Sequence, residues 1–72
     1  MKQISIKSSD EIVLVFNATC INFIDGNCII VFDSLQDATY YANKIFNDLK
    51  ISCMIGDNDV TFSMDSVDIR IN

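Results

Sequence analysis

One segment of the chain repeats its apolar residues every three or four positions. Leu35, Ala38, Ala42, Ile45 and Leu49 fall on one stripe, Tyr41 and Phe46 widen it, and Gln36, Asn43, Lys44 and Asn47 lie opposite. The spacing predicts a helix that starts at Leu35. Its first turn is marked by Ser34 followed by Asp37, where a hydroxyl can accept an orphan backbone N–H and a carboxylate suits the positive end of the helix dipole. Asp33 with Gln36 offers the same chemistry one residue earlier, and the charge of Lys50 suits the C-terminal end.

Elsewhere the apolar residues alternate with polar ones and are mostly β-branched or aromatic, which predicts strands. Turn chemistry then sets registers that can be tested for a common apolar face, because a slip of one residue turns every side chain over. A two-residue turn at Asp25-Gly26 pairs Phe23 with Cys28, Ile21 with Ile30 and Thr19 with Phe32. A turn at Asn17-Ala18 would set Phe16 by Thr19, Leu14 by Ile21 and Ile12 by Phe23. A connection over Lys7–Glu11 would add Ile6 beside Ile12 and Ile4 beside Leu14. After the helix, a turn at Asp57-Asn58 pairs Ile55 with Val60, Cys53 with Phe62 and Ile51 with Met64. A weaker turn at Asp65-Ser66 would pair Met64 with Val67, Phe62 with Ile69 and Val60 with Ile71.

The expectation is one α+β domain over residues 1–72: an antiparallel meander of four strands, one amphipathic helix, then a three-stranded meander, ββββαβββ. The registers leave open whether the meanders join into one curved sheet or form two. They also expose an anomaly. The reverse face of strands two to four collects Val13, Val15, Cys20, Ile29 and Val31, interrupted chiefly by Asn22, with Ile24 and Asn27 at the hairpin end. A wetted sheet face alternates with polar residues, as Thr61 to Arg70 does, so this face belongs either to a second layer of the same fold or to a partner.

Composition narrows the chemistry. At 72 residues the chain buries only about 60% of its unfolded surface, so area gained from a partner would add to a small core. Half of the residues are apolar, there is no proline and there are only two glycines, the profile of a folded chain. Ten acidic against five basic residues give a formal charge of −5. That field repels phosphate backbones and anionic lipid, so neither direct nucleic-acid binding nor membrane binding is expected. Histidine is absent, which removes the commonest general base and neutral metal ligand. No serine can therefore pair with a histidine, Asp57, Asp59, Asp65 and Asp68 read as turn residues, and neither glycine belongs to a phosphate-binding loop. No catalytic, cofactor or metal site is expected. With no apolar run of about 18 residues and no signal-peptide core, the expected location is cytoplasmic. Cys20, Cys28 and Cys53 lack metal or redox spacing and read as reduced thiols, with Cys28 and Cys53 on the core face and Cys20 on the reverse one.

These readings converge on a non-enzymatic protein-interaction module, a homodimer or a tight complex through Val13, Val15, Cys20, Ile29 and Val31. Tyr40, facing solvent beside Gln36, Asn43 and Asn47, is a further candidate contact. An acidic chain rich in isoleucine, asparagine and aspartate, without Pro, His or Trp, resembles in size and composition the small accessory proteins of bacteriophages, among them inhibitors of host defence such as anti-CRISPR proteins. That resemblance implies a host enzyme or defence complex as partner and assigns no residue. Two other readings are mimicry of nucleic acid by the ten carboxylates, and sequestration of a small nucleotide at a dimer interface, with stacking and polar contacts from Tyr40, Asn43, Lys44 and Arg70.

Overall fold

The helix forms where its stripe and cap place it. In the computed structural model, which describes residues 1–72, α1 runs Leu35–Leu49. Ser34 Oγ accepts the Asp37 backbone N–H at 3.1 Å, the bond that its position before the first turn favours. The helix ends at Lys50, whose N–H donates to the Phe46 carbonyl at 2.9 Å from a left-handed backbone with φ 60°. A glycine adopts that conformation without a Cβ clash, so Lys50→Gly is expected to stabilise the fold by about 0.5–1 kcal/mol, a rise of several degrees in Tm. A thermal melt with unchanged or lower Tm contradicts this. Ala38, Ala42, Ile45 and Leu49 are buried, whereas Leu35 and Phe46, at the margins of the stripe, are exposed.

Seven strands surround the helix in the expected element order, ββββαβββ, and the fold is α+β. They are β1 (Lys2–Lys7), β2 (Val13–Ala18), β3 (Cys20–Ile24), β4 (Asn27–Val31), β5 (Met54–Ile55), β6 (Asp59–Ser63) and β7 (Asp68–Ile71). All pairings are antiparallel, in two sheets: sheet A in the order β2-β1-β7 and sheet B in the order β3-β4-β6-β5. Each sheet thus draws strands from both sides of the helix.

The Asp25-Gly26 hairpin is in the expected register, Phe23 with Cys28 and Ile21 with Ile30. Both turn residues have positive φ, 51° and 78°, as a type I′ turn requires. The Asp57-Asn58 turn also closes as expected, with Ile55 opposite Val60, although β5 is only two residues long and Ile51 and Cys53 lie outside it. β1 and β2 pair two residues away from the expected register, Ile4 with Phe16 and Ile6 with Leu14. The loop explains the shift: buried Ser8 closes it by donating its N–H to the Ile12 carbonyl at 2.9 Å, which leaves Ile12 in the loop. A shift of two keeps every side chain on its face.

Two expected hairpins do not form. Asn17 and Ala18 are the last residues of β2, paired with Gln3 and Lys2 of β1, so the chain does not reverse there. Instead β2 leaves sheet A and the chain enters sheet B as β3 after the single residue Thr19. Thr19 donates its N–H to the Val31 carbonyl at 2.8 Å, so Thr19 and Cys20 both oppose Val31 in a bulge that bends the strand. The Thr19 hydroxyl holds Asp33 Oδ1 at 2.8 Å. At the other site β6 has no free edge, because β4 and β5 flank it. The chain therefore turns at Asp65-Ser66, where Ser66 has φ 62°, and delivers β7 to the open side of β1.

The apolar faces of both sheets and the helix share one core. Ile4, Ile6, Ile30, Ile45, Val60 and Cys28 are its largest fully buried side chains. No helix is long and apolar enough to cross a membrane.

Candidate interaction surface

The reverse sides of the two sheets differ in chemistry. On sheet B, alternation from the buried residues puts Cys20, Asn22 and Ile24 of β3 on the outer face. Ile29 and Val31 of β4, Thr61 of β6 and Met54 of β5 lie there too. The register groups them in rows: Cys20 beside Val31, and Asn22, Ile29, Thr61 and Met54 across all four strands. Cys20, Ile29 and Val31 are half-buried by one another and their neighbours, whereas Ile24 and Met54 are exposed. The one charge in these rows is Asp59, opposite Val31 at the end of β6.

Val13 and Val15 lie apart from that group, on the outer face of sheet A, where they are 52% and 53% exposed. Val13 is opposite Lys7, and Val15 is opposite Ser5, whose other neighbour is Arg70. Lys7 pairs with Glu11 and Arg70 with Asp68, both at 3.7 Å. Two valines among charged and polar groups make a mixed, wetted face. A hairpin between β2 and β3 would bring all five residues together; the bulge at Thr19 puts them on two sheets.

Tyr40 is exposed on the helix and meets Tyr41 edge-on, with ring centroids 5.0 Å apart. Tyr41 stacks on Phe32 at 4.9 Å and on Phe16 at 5.0 Å. Tyr40 is thus the solvent end of an aromatic stack rooted in the core. Below Tyr41, a shallow cavity of about 180 Å³ is bordered by Asn17, Thr19, Asp33 and Asp37.

The residues proposed for a nucleotide are not gathered: Tyr40, Asn43 and Lys44 are on α1, with Lys44 held by Asp48 at 3.4 Å, while Arg70 is on the outer face of sheet A. No group of three carboxylates or thiols comes together as metal ligands do. All three cysteines are free thiols. Burial pushes the Cys28 thiol up to about 12, with the neighbouring Cys53 adding to the effect, and burial pushes Cys53 up to about 11.

From Ile12 to Ile24 there is no charge, proline or glycine, and this stretch supplies an edge strand to each sheet. Edges are usually guarded by lysine or proline, so nothing in the composition of this stretch marks it as one. No known protein family, curated protein or solved structure matches the chain.

Proposed function

We propose that the chain is a small non-enzymatic interaction module that acts by covering a surface of another protein, as a phage-type inhibitor of a host or defence protein would. The observation that carries this reading is the outer face of sheet B. The core is complete on the other side of the sheet, yet Cys20, Ile24, Ile29, Val31 and Met54 remain grouped on the outside with a single charge at their margin. Grouped apolar side chains of this kind gain free energy by leaving water, at about 25 cal/mol per Å² before ordering terms. Tyr40 offers a second, smaller contact.

The test is retention of a target from bacterial lysate by the tagged chain at low and high salt. Contact through the apolar face predicts a retained protein whose binding changes little with ionic strength and is lost in the folded Ile29→Asp variant, by tenfold or more. Steep loss with salt and indifference to Ile29→Asp would instead support phosphate mimicry by the carboxylates.

A further inference from the structure

We propose that β3 pairs with β3 of a second copy about a two-fold axis at Asn22, joining two B sheets into one eight-stranded sheet. The type I′ turn sets the direction of the backbone groups along β3. In such a hairpin the residues flanking the turn, Ile24 and Asn27, exchange two hydrogen bonds, and such pairs alternate along the ladder. Asn22 and Cys20 therefore also point their backbone groups at β4. Ile21 and Phe23 point theirs outward, at an edge that no strand occupies.

An open row of this kind is complemented by an extended backbone, and the sequence of β3 fits its own copy. With the axis at Asn22, Ile21 meets Phe23 of the second copy, Phe23 meets Ile21, and these two pairs exchange four backbone hydrogen bonds. Every side-chain pair is then compatible. On the core side, two isoleucine–phenylalanine pairs cover Phe23, which is 48% exposed in the single chain. On the outer side, Cys20 meets Ile24 at either end and the two Asn22 amides meet at the centre. No charge lies in β3, so two chains of −5 meet with no carboxylate in the seam.

The remaining edges explain why the pairing is closed at two copies. β5 is two residues long and β7 carries Asp68 and Arg70, while the two-fold uses up the β3 edge of each copy. The contact is isologous, using the same strand twice. It also sets the outer faces of the two B sheets side by side. The pairing stands on the edge of the sheet and requires no target on its face, so it is tested with the chain alone.

Light scattering over a concentration series is expected to show the mass rising to twice 8.1 kDa. Phe23→Lys, at an exposed position, is expected to hold the folded chain at 8.1 kDa. Ile24→Cys adds a register test, because it sets a thiol opposite the native Cys20 of the second copy in a close pair that suits a disulfide. Within one chain those positions are four apart on a strand and cannot bond. Mild oxidation is expected to give a covalent dimer, and none when Cys20→Ser is added. A wild-type chain that stays at 8.1 kDa at millimolar concentration overturns the proposal. So does a dimer that survives Phe23→Lys, or an Ile24→Cys dimer that does not need Cys20.

Discussion

Ile30→Ala is expected to remove most of the stability of the fold, whereas Ile29→Ala, one residue away, should have a small effect. Ile30 is fully buried at the middle of β4, between Ile21 on β3 and Val60 on β6, in the core shared with Ile45 of the helix. Truncating a buried isoleucine costs about 2–5 kcal/mol through lost transfer energy and the cavity left behind. A domain of this length holds only roughly 4–10 kcal/mol in total, so the loss is large in proportion. Ile29 points to the outer face and its truncation leaves no enclosed cavity. In urea the midpoint for Ile30→Ala is expected to fall by about 2 M or more, with an m-value near 1 kcal/mol/M, and that for Ile29→Ala by well under 1 M. Equal shifts for the two would mean that β4 does not have one buried and one open side. Both should be measured at one protein concentration, because self-association would add to the apparent stability of each.

The second large effect is expected in alkali and comes from the buried thiols. Their proton affinity is higher in the folded chain, about 12 for Cys28 and about 11 for Cys53, against an ordinary value of 9.0. Below about pH 9 both states keep these protons and the thiols impose no pH dependence. Above it the unfolded chain releases them first, so it binds fewer protons than the folded one and stability falls as pH rises towards 12. The loss accumulates to an order of a few kcal/mol, comparable with a core truncation. Denaturation midpoints between pH 8 and pH 11 should show the fall, and Cys28→Ala should flatten it while lowering stability at neutral pH. A slope unchanged by Cys28→Ala would remove the buried thiol as its source. Alkylation gives a parallel readout: at pH 8, Cys20 should be modified well before Cys28.

What was legible in the sequence was local. The helix and its Ser34 cap, the Asp25-Gly26 hairpin and the side of each strand that faces the core all follow from contacts within a few residues, where turn chemistry and alternation act directly. The pairings of β4 with β6 and of β1 with β7 join segments separated by the helix or by nearly the whole chain, and no turn announces them. Asn17 and Ala18 read as a turn from their local chemistry, yet they extend β2 opposite Gln3 and Lys2. A hairpin there would merge the two sheets and set Val13 and Val15 beside Cys20, Ile29 and Val31. Within sheet B, Cys20, Ile29 and Val31 share one face as their alternation requires, because their register depends only on the β3–β4 hairpin. The open edge of β3 was not legible, since which strand lies outermost is decided by the non-local pairings.

The pairing of β1 with β7 ties the two ends of the chain together: Asn72 donates its backbone N–H to the Gln3 carbonyl at 2.9 Å and its side-chain amide to Gln3 Oε1 at 3.0 Å. The seam holds Gln3 and Asn72 side by side, so a short linker between them would allow the chain to be reopened at the exposed Asp57 turn with every strand kept.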